Sequence, residues 1–386
     1  MDRATQRDII GRLLGLIEAG TTDMADDIAR APVDAYLAPD RLARERAVLF
    51  RRYPLIVGHG SQVPESGDFL THDAAGVPIL VVRGEDGGIR AFLNVCRHRG
   101  TQVVQQASGA GARSFVCPYH AWSYGLDGRL LAIPHADGFR GIDKERRGLV
   151  RLPAAERHGF VFVVPSASPG GTHEIDVAAY LGPLDADFTA FGLDRHVAYS
   201  PSRRAKRVNW KLGIDIFLEG YHVKTTHSET IWPIFLDNVG LYDRFTPHIR
   251  TVFPKRTMRD LKGAEPGDWN IRGVANVLYV IFPNTLLLME PDDFGLFHVF
   301  PDGPDGSLFL GSTLLPEPPA DDKARAYWQK NIDILHDATE EDFDIGESIQ
   351  AALGSGANSH LTFGRFEQAL GWFHRHVDEA LAAADV

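Results

Sequence analysis

At 386 residues the chain is long for one simple core and comfortable for two domains. Hydrophobic residues make up 44% and charged residues 24%, an ordinary globular balance. The formal net charge of −11, with no long basic run, argues against nucleic acid as a partner, and no apolar stretch approaches the roughly 18 residues that would suggest a membrane partner.

Met1 to Gly20 scatters Ile9, Ile10, Leu13, Leu14, Leu16 and Ile17 among Gly11, Arg12 and Gly15. That pattern predicts an amphipathic helix rather than a secretory apolar core, and no small-residue cleavage site follows closely. Next, Val77–Val82 reads as a strand, Glu85-Asp86-Gly87-Gly88 as a turn and Ile89–Leu93 as the returning strand. Tyr124–Leu130 carries another Asp-Gly turn. Gly159–Val164 is the last strong β run before a linker-like stretch, Pro165–Gly171. Beyond it, Lys211–Val223 has helical spacing, Val277–Phe282 and Leu286–Met289 read as strands, and helical patterns run over Lys323–Ala352 and Phe363–Ala383. The expected fold class is α+β. An all-β domain over residues 46–165 is followed by a domain over 172–386, with helices in 1–45 packing on the latter.

The chemistry-bearing residues begin with Cys96-Arg97-His98 and Cys117-Pro118-Tyr119-His120, which contain the only two cysteines. Two loops, each giving one thiolate and one imidazole, match a Rieske [2Fe–2S] centre, in which two Cys hold one iron and two His the other. A Cys2His2 zinc site would use the same ligand types, but zinc modules pair Cys with Cys and His with His in each short motif. A disulfide would leave both histidines unexplained. With both cysteines on iron, none remains for a structural disulfide, and the cytoplasm is the expected compartment.

A second constellation is Asn209-Trp210-Lys211, Glu219-Gly220-Tyr221-His222 and His227. Glu219 and His222 share a helical face; an unbroken helix would turn His227 away from His222, and a loosened one would bring it back. Two such imidazoles supply two corners of a 2-His-1-carboxylate site for mononuclear Fe(II). Alone they also suit ordinary core or surface histidines. Among the acids of the last long helical pattern, Asp342 lies on the apolar stripe of Leu335, Ala338, Ile345 and Ile349, whereas Asp337, Glu341, Asp344 and Ser348 form a polar, solvated stripe. A carboxylate on a buried face needs a partner, which is either a metal or a basic side chain.

These motifs, with Leu49-Phe50-Arg51-Arg52, Pro64–Phe69, Phe92–Gly100, Cys117–Trp122, Phe282-Pro283-Asn284, Glu341-Asp342 and Gln350, resemble the oxygenase α subunits of Rieske non-haem iron oxygenases over nearly the whole chain. The resemblance implies a Rieske domain and a helix-grip-like catalytic domain, a large antiparallel sheet packed on helices. Its cofactors would be a [2Fe–2S] cluster on Cys96, His98, Cys117 and His120, and a mononuclear Fe(II) on His222, His227 and Asp342. It also implies a homotrimer in which Glu219 links His222 to His120 of the adjacent subunit; Asp215 and Asn209 join Glu219 as candidate catalytic residues. Thr101 and Tyr119 stand where respiratory Rieske proteins carry extra cysteines. That places the cluster toward the low end of the roughly −150 to +300 mV range. The Gly/Ala-rich insert Ala107–Ala112 suggests a longer hairpin tip, and Ile216 replaces a common Asn.

The implied activity is that of a terminal oxygenase. It would take electrons from an NAD(P)H-dependent reductase or ferredoxin and use O2 to hydroxylate an aromatic or related small-molecule substrate. N- or O-dealkylation, or hydroxylation of a quaternary amine, is the alternative, favoured by Glu rather than Asp at position 219. A Rieske electron carrier without catalysis is a distant third. Phe217, Val223, Phe235, Leu236, Phe282, Leu288 and Phe297 are candidate pocket walls, though plain core is the expected role of each.

Overall fold

The computed structural model describes residues 1–167 and 174–384. The linker expected at Pro165–Gly171 therefore lies partly outside the described residues. The chain forms two compact units, one of Arg46–Tyr180 with Leu193–Val197, the other of Met1–Glu45 with Leu181–Gly192 and Ala198–Val386.

The first unit is built from short antiparallel strands. Ile79–Arg83 and Ile89–Leu93 pair around the Asp86-Gly87-Gly88 turn, where Gly87 takes φ +79°, a conformation open to glycine. They form the middle of a five-stranded sheet ordered Arg151–Leu152, Ile89–Leu93, Ile79–Arg83, Phe69–His72 and Ser108–Gly109. The Gly/Ala-rich insert thus adds an edge strand instead of extending a hairpin tip. The Phe69 ring lies across Gly109 so closely that a Cβ there would come within 2.5 Å of it. A second sheet joins Leu55–His59, Phe160–Val163 and Ala154–Arg157, and a third joins Phe115–Val116, Ser123–Tyr124 and Leu130–Ala132. Leu80, Val82, Phe92, Trp122 and Tyr124 make a core that also encloses Cys96 and Cys117.

The second unit has a seven-stranded antiparallel sheet in the order Val197–Lys206, Ser307–Leu315, Phe294–Pro301, Thr285–Met289, Ala275–Ile281, His248–Pro254 and Leu241–Phe245. A helix over Arg3–Ala19 buries Ile9, Ile10 and Leu13 and stops at Gly20 in the left-handed region. The long helix Asp322–Leu353 starts where Asp321 accepts a hydrogen bond from the Ala324 N–H. Its buried stripe is Ala338, Thr339, Asp342, Phe343, Gly346, Gln350 and Leu353, rotated from the expected one, and Ile345 is 48% exposed. The rotation follows from Phe343 packing edge-on against Phe309 at 4.9 Å and from the bare face of Gly346 approaching Val208. The helix expected from Phe363 begins later. His360–Phe363 is a strand paired with Ala29–Pro32, and Gln368–Ala383 is helical after Glu367 accepts from the Gly364 N–H.

Candidate active site

Two clusters of functional side chains form, one in each unit. In the all-β unit the loop after Ile89–Leu93 is tied at its base by buried Asn94. Its Oδ1 accepts from the Val103 and Val104 N–H groups at 3.0 and 2.9 Å, and its Nδ2 donates to the Val104 carbonyl. The Cys96 N–H donates to Thr101 O and the Gly100 N–H to Cys96 O, closing a tight turn that presents Cys96 and His98. The second loop closes similarly, Cys117 N–H to Trp122 O and Ala121 N–H to Cys117 O, presenting Cys117 and His120. The His98 and His120 rings lie 4.7 Å apart, and His98 stacks on Trp122 at 5.0 Å. Both cysteines are buried without a disulfide. Burial holds the Cys117 thiol above its ordinary pKa, so a metal must draw off its proton.

Nδ1 of His120 is buried and has no hydrogen-bond partner among the described residues, the condition of an imidazole nitrogen left for a ligand. Two thiols and two imidazoles with that orphan nitrogen fit a Rieske cluster. Tyr124, read in the sequence only as part of a turn, adds a contact to it. Its hydroxyl accepts from the Arg97 N–H at 2.9 Å, leaving its own proton for Cys96 Sγ at 3.3 Å.

In the second unit the helix expected over 211–223 is broken. Leu212–Asp215 and Val223–Thr226 are helical, and the residues between them are not. The Glu219 carboxylate explains the break by accepting from the Tyr221 and His222 N–H groups and so competing with helical hydrogen bonds. The turn brings His222 and His227 together. His222 Nε2 lies 3.2 Å and His227 Nε2 2.9 Å from the same Asp342 oxygen, and one ligand atom from each residue falls within 4.8 Å of the others. Two imidazoles and one carboxylate converging at this spacing fit a mononuclear iron site.

Each imidazole is oriented from behind. His222 Nδ1 meets Glu219, and His227 Nδ1 donates to Glu341 at 2.6 Å, which also accepts from the Thr230 hydroxyl at 2.7 Å. Periodicity assigns Glu341 to the solvated stripe, whereas the structure sets it behind His227; its position beside Asp342 is the available signal. Burial alone would lower both imidazoles, yet the surrounding carboxylates prevail. Asp342 and Glu219 raise His222 to about 10, and Asp342 and Glu341 raise His227.

Asn209 and Asp215 are not brought to this triad. Asp215 is buried, accepting from Tyr36 at 2.7 Å and lying 3.0 Å from His374 Nε2. Asn209 donates to the Tyr36 and Pro304 carbonyls and accepts from the Lys211 N–H, while its own N–H reaches Gln350. Both tie the base of the broken helix to its neighbours.

A cavity of about 360 Å³ opens beside the triad. Phe217, Val223, Phe235, Leu236 and Leu288 line it. Phe282 and Phe297 do not; the latter stacks on Phe309 at 5.2 Å in the core.

Two buried thiols with two half-buried imidazoles, together with a 2-His-1-carboxylate triad in an α+β unit, define an iron-dependent redox protein. Residues 54–147 match the Rieske [2Fe-2S] domain and residues 191–383 the ring hydroxylating alpha subunit catalytic domain. The chain belongs to the Rieske non-haem iron oxygenase α-subunit family, whose cofactors are a [2Fe–2S] cluster and a mononuclear iron. It is 32% identical over 290 residues to the glycine betaine monooxygenase oxygenase subunit of Chromohalobacter salexigens, covering 74% of this chain and 61% of that protein. It is 34% identical over 226 residues to the N,N-dimethyl phenylurea N-demethylase subunit alpha of a Sphingobium species, covering 54% and 48%. These alignments span about half to three-fifths of the relatives' lengths. The crystal structure of the quaternary ammonium Rieske monooxygenase CntA with an inhibitor superposes with a TM-score of 0.79 at 21% identity, covering 92% of this chain and 96% of that one. No described helix is long and apolar enough to cross a membrane.

Proposed function

We propose that the chain is the terminal oxygenase of a multicomponent Rieske system, with Cys96, His98, Cys117 and His120 holding the cluster and His222, His227 and Asp342 the mononuclear Fe(II). The observation that carries this reading is the convergence of His222, His227 and Asp342 beside a cavity of substrate size. Ferrous iron in such a site, with positions left open, supplies O2 activation. The protein's part is to aim and tune the ligands. Glu341 holds the proton on His227 Nδ1 and so keeps Nε2 directed at Asp342, and Glu219 does the same for His222. Glu219 also offers a hydrogen-bonded route toward His120 of a neighbouring copy in a homotrimer. Electrons come from an NAD(P)H-dependent reductase, directly or through a ferredoxin. Both cysteines being committed to iron suits the cytoplasm.

The reaction is oxidation of a carbon bonded to nitrogen, ending in N-dealkylation or hydroxylation. The relatives' names support this choice, since glycine betaine, carnitine and dimethyl phenylurea all carry N-methyl groups. The test is a panel of N-methylated compounds and simple arenes with a surrogate reductase, measuring product against NADH consumed. N-methyl compounds should give product in step with NADH. Arene diols as the only products would overturn the choice of reaction, and no product from any compound would overturn the oxygenase reading.

A further inference from the structure

The cavity is longer than the triad alone requires. Tyr327, Asn331, Leu335, Thr339 and Asp342 line it in one stripe of the long helix, a span of about 22 Å along the axis. Asp342 marks the iron end. At the other, Tyr327 donates to Asp292 Oδ2 at 2.8 Å, and the wall changes from aliphatic to polar.

Strand register explains the change. Phe253 pairs with Asn276, and Val277 with Met289, so Asn276 and Glu290 stand side by side at the strand ends. Asn276 Nδ2 donates to Glu290 Oε1 at 3.0 Å, and on the same face Leu278 and Leu288 continue the apolar wall. Two polar atoms here lack partners among the described residues. Asn276 Oδ1 is buried and accepts nothing. Lys255, 9% exposed, has no hydrogen bond or ion pair to its ammonium. A buried acceptor left open is costly unless a ligand completes it, and the unpaired Lys255 ammonium lines the same cavity as a donor.

Charge narrows the ligand class. Glu290, Asp292 and Asp293 face Lys255 and Arg272. A carboxylate drawn to Lys255 would meet these acids, and an ammonium drawn to the acids would meet Lys255. A quaternary ammonium has no N–H for Asn276. A neutral group that accepts from Lys255 and donates to Asn276 Oδ1 satisfies both.

We propose that Lys255 and Asn276 select substrates carrying a neutral donor–acceptor group, such as a carboxamide, urea or hydroxyl, at the end remote from the oxidised carbon. This rests on the oxygenase reading only in assigning the cavity to substrate. The test titrates holoenzyme calorimetrically, without reductant, with octanamide, octanoate and octylamine. Octanamide should bind about tenfold or more tighter than either charged analogue, and Lys255→Met and Asn276→Leu should each cut that advantage to about threefold or less. Octanoate or octylamine binding as tightly as the amide, no binding by any, or an undiminished advantage in both variants would overturn the proposal. The ranking in the unsubstituted protein is decisive if a variant fails to fold. Ranking as expected without any reductase-coupled oxidation would instead defeat the oxygenase reading and leave this one standing.

Discussion

Replacing Glu341 by alanine removes the acceptor for two donors at once, His227 Nδ1 at 2.6 Å and the Thr230 hydroxyl at 2.7 Å. The His227 side chain is 1% exposed, so water is poorly placed to replace the carboxylate. An unpaired buried N–H costs roughly 1–3 kcal/mol, and loss of a carboxylate behind a ligating imidazole typically weakens metal binding about 10–100-fold. Both figures lead to the same expectation of an Fe(II) dissociation constant raised by roughly 10–100-fold at the mononuclear site. Glu341→Gln should lie between, because its amide oxygen still accepts from Nδ1 but carries no charge. The assay is equilibrium dialysis against ferrous iron, with the visible spectrum of the cluster as an internal standard. Unchanged iron affinity in the alanine variant would refute the claim that Glu341 orients His227.

Further expectations follow from other contacts. Burial foremost, with Asp293 nearby, pushes Glu290 up to about 7 from an ordinary value of 4.5. Between those values the unfolded chain has ionised and the folded one has not, so this group costs stability as pH rises from about 4.5 to 7, the cost being full above that. Glu290→Gln should therefore melt higher than the parent at pH 8 by an amount worth about 1–3 kcal/mol, with little difference at pH 4; an equal shift at both pH values would contradict this. Tyr124→Phe removes a donor from Cys96 Sγ and should lower the cluster's midpoint potential in a redox titration. Glu219→Gln should leave both iron centres loaded while nearly abolishing product formation coupled to NADH; full coupled turnover would defeat its linking role.

The cluster loops are legible in the sequence because each Cys lies two or three residues from its His, and short turns present them together. The triad was legible less directly. The spacing of Ile214, Phe217, Leu218 and Tyr221 imitates a continuous helix, but the Glu219 side chain accepts from the Tyr221 and His222 N–H groups where that helix breaks and His227 turns back. Periodicity picks out Asp342, which does converge with His222 and His227, from a stripe whose further end is rotated, since Ile345 faces outward and Phe343 inward. It also sent Glu341 to solvent, because an acid supporting a ligand and a solvated acid look alike on a helical wheel. Asn209 and Asp215 stood in the right segment, but their hydrogen bonds to Tyr36 connect residues far apart in the chain, which spacing cannot register. The same holds for Lys255, Asn276 and Glu290. Alternation places each on a strand face, yet their meeting depends on the pairing of three strands.

Iron and acid-labile sulfide counted per chain, in the parent and in His222→Ala, test the central assignment most directly. The two sites together require about three irons and two sulfides in the parent, falling to about two irons with an unchanged cluster spectrum in the variant. Two irons in both proteins would make the chain a Rieske carrier with an empty triad, and zinc in place of iron and sulfide would remove the cluster itself.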